Sequence, residues 1–474
     1  MIATAPAALT LTRIAQLAGG DLVVREVPAG PAAREAFLAA GVEGASLDTR
    51  TLQPGMLFVP LPGGRTDGHD FLEEAFRRGA AAALCARERH EAWRGREPGP
   101  LVVVEDVTAG LARLAHGYRL GWHGLLLCVT GSAGKTTTRE LVAAALTVAG
   151  PGLRSEGNLN NHWGVPLTLL RLRPEHRTAV VEIGSNHPGE IAALAALAAP
   201  GAGVITNAGS AHLEGFGTLD AVAREKASLG FALEAGRPLF AGADSPRLLR
   251  ALAGVKARVI RYGLARSAAV RPERVTDLGP DGSRIEVAGF PPLHLRLVGG
   301  HQVPNALAAL AVARESGLDP ATVVAALEQV RGTKGRMELR QVKGALLLVD
   351  CYNANPDSAR AALATLAGWP GARRRIAVLG DMLELGPRAA ALHRETGARV
   401  RDAELWVVGA HAADYAAGAR RAGVRVRCFE GKAALGEALG EALGEGVVVL
   451  LKASRGAALE EILEGLGSGP GKED

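Results

Sequence analysis

Residues 129–138 read VTGSAGKTTT, between an apolar run LLLC and a helix-forming run RELVAAAL. Strand, glycine turn, Lys-Thr and helix is the order that phosphate binding needs. Glycines let main-chain N–H groups converge on an anion, and the helix N-terminus adds a favourable dipole. Gly131, Ser132, Ala133, Gly134, Lys135, Thr136 and Thr137 make up the turn. Lys135 has the charge to neutralise β- and γ-phosphates, and the Thr136 hydroxyl suits Mg²⁺. Val129 stands where the commoner G-x-x-x-x-G-K-[ST] pattern has its first glycine, so the turn is a shorter one. Alone, it says that the chain binds a nucleoside triphosphate. Three further residues have chemistry at suggestive places. Glu182 ends the apolar run of AVVEIGSNHPGEI, where a carboxylate on a neighbouring strand completes an Mg²⁺ site. His212 follows a strand in GVITNAGSAHLEGFG, and Lys226 lies in the helical AVAREKASL. Taken singly, Glu182 reads equally as an ordinary strand end, His212 as an exposed loop histidine and Lys226 as a surface lysine.

The elements that must position these residues fall into three zones. The first, residues 1–120, has short strands at 56–61, 81–86 and 101–106 and a helix around 69–78, a small α/β unit. The second, 121–332, opens on LLLCVT and continues with TAVVEI, GVIT, RPLFAG and RVIRYG, helical segments lying between most of them. Such alternation implies a parallel sheet covered on both faces, and near-continuous apolar strands fit burial on both sides. Residues 268–298 alternate in polarity, which predicts an antiparallel addition, and NALAALAVARE forms a closing helix. The third, 333–474, repeats the alternation with ALLLVD, RIAVLG, ELWVVG, VRVRCF and VVVLLKA, a second doubly wound, Rossmann-like domain.

The bulk properties narrow the class. The 474 residues are too many for one core, and 48% hydrophobic with 22% charged residues is the balance of a folded soluble protein. A net charge of +5 without a Lys/Arg block gives no footprint for nucleic acid. No stretch reaches the roughly 20 uninterrupted apolar residues of a membrane span. Cys85, Cys128, Cys351 and Cys428 form no C-x-x-C pair and read as buried free thiols in a reducing cytosol. The first twenty residues lack the basic segment of a signal peptide, so a cytoplasmic protein is expected. The tail GSGPGKED is expected to be disordered. His69, His116 and His123 show no metal-ligand spacing and read as structural or exposed, as does His162, though its place inside GNLNNHWG also allows substrate contact.

Read together, these pieces resemble the ATP-dependent Mur ligases over nearly the whole chain. T-G-S-A-G-K-T is similar to that family's form of the phosphate loop, and His301-Gln302-Val303-Pro304-Asn305 to its HNxxN-type element, with Gln302 where Asn is common. GNLNNHWGVPLTLL, VEIGSNHPGEI, DCYNANPDSARAAL and LGDMLELG, with His393 on the helix that follows, resemble the branch that joins the dipeptide D-Ala-D-Ala to UDP-MurNAc-tripeptide. Sister ligases adding one amino acid tend to carry D-Y-A-H-x-P where this chain has YNANP. ASLDTR resembles the family's entry for the UDP moiety, with Thr49 in place of Ser.

The resemblance implies ATP and Mg²⁺ as cofactors, a place in peptidoglycan synthesis and a monomer. It implies that Lys135 and Thr136 hold phosphates and one Mg²⁺, while Glu182, His212 and a carbamylated Lys226 hold a second. His301, Asn305, Arg336 and Asp350 would face the nucleotide, with Asp350 at the ribose. Ser46, Thr49, Arg50, Asn158, Asn160, Asn161, Asn353, Asn355, Lys452, Ser454 and Arg455 would contact substrate. In LLKASRG, Ala453 replaces a family glycine. The alternatives are a sister ligase or folylpolyglutamate-synthetase-like enzyme adding a single amino acid, and, outside the enzymes, a nucleotide-switched binding protein.

Overall fold

The computed structural model describes residues 8–63 and 66–467. Residues 468–474 of the tail, and residues 1–7 at the start of the segment read for a signal peptide, lie outside the described residues.

Four sheets carry the chain. In the first, Asp21–Val23 runs antiparallel beside Leu101–Val104, which continues in parallel through Ala82–Ala86, Leu57–Phe58 and Ala45–Ser46. The second is wholly parallel, in the order Arg258–Tyr262, Pro238–Gly242, Ala202–Ile205, Leu125–Thr130, Thr178–Glu182 and Gly152–Arg154. Leu126 to Val129 are inaccessible to solvent, as expected of a strand covered on both faces. The predicted antiparallel addition is a separate sheet of Arg274–Asp277, Ser283–Glu286 and Leu293–Leu295. In the fourth, Ala345–Asp350, Val447–Lys452, Arg374–Leu379, Glu404–Val408 and Val426–Phe429 are parallel. Its edge strand Glu338–Val342 is antiparallel and was not foreseen; a polar ELRQV lacks the apolar run that marks the others.

In the second sheet the chain crosses from one side of Leu125–Thr130 to the other after Thr178–Glu182. A crevice therefore opens beyond the carboxyl ends of these strands, where α/β sheets bind ligands. Gly131, Ile183 and Thr206 are the first residues past those ends. The helix Gln302–Glu315 packs on Lys135–Leu146 and is buried on almost every side, which explains why NALAALAVA has no polar face.

The first and second sheets are tied by the helix Val107–Leu120, which Asp106 caps through Ala109 N at 2.6 Å. Its buried Arg119 donates to Ala198 O (3.0 Å), Ala199 O (2.9 Å) and Trp122 O (2.7 Å). A cation against the last carbonyls of Glu190–Ala198 also opposes that helix's dipole. Tyr118 Oη donates to Leu172 O, His116 pairs with Leu197 O, and Trp122 Nε1 donates to His176 O.

All four cysteines are free. Cys85, Cys128 and Cys351 are buried, whereas Cys428 is exposed on the edge strand Val426–Phe429, a correction to its expected burial. His69 is structural: its ring joins Asp67 and accepts from Ala86 N.

Candidate active site

A cavity of about 1000 Å³ is lined by residues that follow the carboxyl ends of strands in both the second and fourth sheets. The phosphate-loop residues Ser132 to Thr137 form part of its wall. Gly131 (φ +148°) would put a Cβ 1.9 Å from Thr206 Oγ1, and Gly134 (φ +77°) one 2.5 Å from Asn305 Oδ1. No other residue type fits these positions without displacing a neighbour. The loop is gripped by the chain after Ala202–Ile205: Ser132 N donates to Asn207 O, Ala133 N to Asn207 Oδ1, and Thr206 Oγ1 to Ala133 O. The main-chain N–H groups expected to converge on an anion are thus fewer than the turn's length suggests. Two are bound internally, and the N–H groups left for an anion start at Gly134, where the helix Lys135–Leu146 opens. Lys135 Nζ donates to Gly131 O at 2.9 Å, and burial pushes its ammonium below the usual lysine range.

Thr136 Oγ1 donates to Glu182 Oε2 at 2.9 Å and accepts from Arg336 Nη2 at 2.9 Å. Arg336 comes from the turn before the fourth sheet and stacks its guanidinium 4.0 Å from the Tyr352 ring centre. Glu182 is buried, and the other contacts of its carboxylate are Asn160 Nδ2 (2.9 Å) and Arg139 Nη1 (3.3 Å). Arg139 also donates to Gly157 O, so one guanidinium links the phosphate-loop helix, the carboxylate and the GNLNN segment. Lys226 is only 1% exposed and donates to Ser185 Oγ at 2.7 Å. Burial, then the nearby Lys135 charge, pull its pKa from 10.5 to about 7, which leaves a neutral amine available near neutrality. The preceding Glu225 accepts from Gly189 N and Ile191 N, fixing this helix to the start of Glu190–Ala198. His212, at φ 53°, meets Glu384 from the fourth-sheet side, Nδ1 to Oε2 at 2.5 Å, and holds that carboxyl below its ordinary range.

His301 lines the cavity with a buried Nδ1 that has no partner, and burial pushes its imidazole down. Asn305 Oδ1 accepts from Thr138 Oγ1, and its Nδ2 donates to Gln302 Oε1 at 2.9 Å. Gln302 thus orients Asn305, a role the family comparison by motif did not suggest. Several residues expected to touch substrate line the cavity and also shape its loops. Lys452 is buried against Asp350 Oδ2 (2.6 Å) and Asn353 O (3.0 Å). Asn355 caps the helix Pro356–Ala367, Asn161 Oδ1 accepts from Trp163 N and Gly164 N, and Ser454 bridges Ala354 O and Leu383 N. Asn158, Asn353 and Arg455 line the cavity. Ser46, Thr49 and Arg50 do not. In the first unit Arg50 pairs with the Asp48 carboxylate and Ser46 Oγ with the Asp48 backbone, and Thr49 is buried beside them in sequence.

Arg139, Asn207, Asp357 and Glu384 escaped sequence reading. Asp357, one residue past YNANP, accepts from Ser210 N at 2.8 Å across the junction. Only the phosphate-loop helix offered a hint, in that an arginine four residues past Lys135 shares its face.

The family model for the Mur ligase catalytic domain matches residues 41–119, that for the Mur ligase middle domain 129–313, and that for the Mur ligase glutamate ligase domain 335–455. The UDP-N-acetylmuramoyl-tripeptide–D-alanyl-D-alanine ligase of Escherichia coli (strain K12) is 34% identical over 432 residues, covering 90% of this chain and 94% of that protein. The enzyme of the same name from Bacillus subtilis (strain 168) is 32% identical over 459 residues, covering 94% and 98%. Crystal structure I of MurF from Acinetobacter baumannii superposes with a TM-score of 0.85 at 28% identity, covering 97% of this chain and 98% of that one. The Thermotoga maritima MurF ligase in complex with ADP gives 0.76 at 28% identity, covering 89% and 96%. Sequence models spanning all three parts, and likeness sustained from end to end, make the chain a member of the Mur ligase family.

Proposed function

We infer that the chain is an ATP-dependent amide ligase that adds D-Ala-D-Ala to the peptide of UDP-MurNAc-tripeptide, a step of peptidoglycan synthesis. The observation that carries this reading is one cavity walled by the phosphate loop, the GNLNN segment and YNANP together. Relatives similar to this chain over nine-tenths of its length bear that activity in their names. We assign nucleotide to the second unit, the UDP-linked substrate to the first, and the dipeptide to the third, which also closes on the nucleotide. The free thiols support a reducing cytoplasm.

The residues present suit ATP and Mg²⁺. The glycine cradle admits no Cβ, and Thr136 Oγ1 and Glu182 supply hard oxygen donors 2.9 Å apart. Among the described residues no three His, Cys, Asp or Glu side chains gather into a cage. Mg²⁺ prefers one or two carboxylates completed by phosphate oxygens, so this sparse donor set matches it. Glu182, His212 and a carbamylated Lys226 would hold the second ion, which supplies charge neutralisation at the transferring phosphoryl group. A carboxylate is a poor electrophile, because its charge repels an amine and it has no leaving group. Transfer of the γ-phosphoryl to the tripeptide's terminal carboxylate cures both faults, and the amine of D-Ala-D-Ala then expels phosphate. Lys135 and the helix N-terminus position and stabilise the transferring group. Arg336 and Asp350 meet the nucleotide from the third unit, and the closed junction keeps water from the acyl phosphate.

The test is incubation with UDP-MurNAc-tripeptide, ATP, Mg²⁺ and D-Ala-D-Ala, with mass detection of the pentapeptide product. Phosphate release with single amino acids instead of the dipeptide would move the reading to a sister ligase. ATP consumption without peptide product would move it outside the ligases.

A further inference from the structure

His212 and Glu384 meet across the junction between the second and third units, 172 residues apart in sequence. With Glu384 half exposed, the pair could pass for an ordinary surface ion pair, worth little. Its mounts argue otherwise. Both residues are non-glycine residues held in the left-handed region, His212 at φ 53° and Glu384 at φ 61°, a conformation that persists only where surroundings enforce it. The segment bearing Glu384 is pinned at each residue before it. Ser454 N donates to Asp381 O, Met382 N to His393 Nε2, and Leu383 N to Ser454 Oγ. Glu214 N then donates to Glu384 O at 3.1 Å from the His212 side. Leu213 and Phe216, flanking His212, are buried in the same apolar core as Met382 and Leu385.

An ionised carboxylate only accepts hydrogen bonds, so the His212 proton belongs on Nδ1 and the lone pair on Nε2. Histidines that serve metals are commonly oriented this way by a carboxylate behind the ring. We propose that Glu384 is a positioning residue for the ligation: carried by the third unit, it sets the tautomer and direction of His212 on the second, so that the imidazole offers Nε2 to the cavity only when the two units are docked. This rests on the ligase reading and deepens it. The metal-facing ring becomes a sensor of domain closure.

The experiment uses full-length protein with ¹⁵N-labelled histidine, at about pH 8.5, above the ordinary histidine range. Proton-coupled nitrogen spectra, with His212 assigned by its loss in His212→Gln, should show the proton on Nδ1 in wild type. Glu384→Gln retains an acceptor and should keep that tautomer; Glu384→Ala should lose it. Asp357→Ala, which removes a neighbouring junction contact without touching the ring, should keep it. Mn²⁺ binding in the presence of a non-hydrolysable ATP analogue, read by electron paramagnetic resonance, should weaken about 10-fold or more in Glu384→Ala and stay near wild type in Glu384→Gln. A wild-type proton on Nε2, a Glu384→Ala protein like wild type in tautomer and Mn²⁺ affinity, or an equal tautomer shift in Asp357→Ala would overturn the proposal. Failure of the ligase reading would show separately, as wild-type protein that forms no amide product.

Discussion

Lys226 is the residue at which burial and chemistry meet most directly. A protonated lysine repels Mg²⁺, so a metal role demands that the amine first lose its proton and then react with CO₂. Burial supplies the first condition by lowering the pKa from 10.5 to about 7. With ¹³C-bicarbonate, we expect a carbamate carbon signal that grows as pH rises through about 7 and is absent in Lys226→Ala. A signal that fails to appear at any pH would remove the carbamate from the site. The same shift links to folding, because the unfolded chain binds this proton more tightly. The unmodified amine therefore contributes its full stability above about 10.5 and loses it as pH falls through about 7.

Among the elements, the helix Val107–Leu120 is the one whose loss should be felt furthest away. Arg119 makes three charge-assisted hydrogen bonds to main-chain carbonyls. Each is worth about 1.5–3 kcal/mol when partnered, but the guanidinium is also desolvated, as its lowered pKa reflects. Arg119→Ala should therefore cost on the order of 3 kcal/mol, less than the three bonds summed, measured by urea unfolding. A change under about 0.5 kcal/mol, the range of ordinary surface substitutions, would refute the tie. The sheets themselves were legible in the sequence, because strands buried on both faces must be apolar throughout. So was the phosphate loop, whose neighbours in space are neighbours in chain. The short strands Ala45–Ser46 and Gly152–Arg154 and the polar edge Glu338–Val342 carry no such run, and stayed hidden. Arg139 and Asn207 were nearly as hidden, since their partners lie 43 and 74 residues away and only the helix face shared with Lys135 hinted at Arg139. Lys452 and Asn355 line the cavity, and their side chains also hold its walls in place, through contacts that their motifs did not announce.

At the scale of the whole molecule, the two junctions differ in kind. Between the second and third units the polar ties are few and scattered, Arg336 to Thr136, Asp357 to Ser210, Asn355 to Ser132 O, Glu384 to His212 and Glu214 N to Glu384 O, beside the apolar wedge of Leu213 and Phe216. Interfaces this polar resemble transient ones and permit domain motion. Small-angle scattering should show compaction when an ATP analogue and UDP-MurNAc-tripeptide are added together; an unchanged radius of gyration would count against closure. At the other junction, Tyr118, Arg119, His116 and Trp122 all address backbone oxygens. A carbonyl is the same whichever amino acid bears it. The bonds of the seam thus make no demand on the side chains at 172, 176, 197, 198 and 199, beyond what core packing asks of Leu172 and Ala198, while the four residues facing them must be retained for the seam to survive divergence.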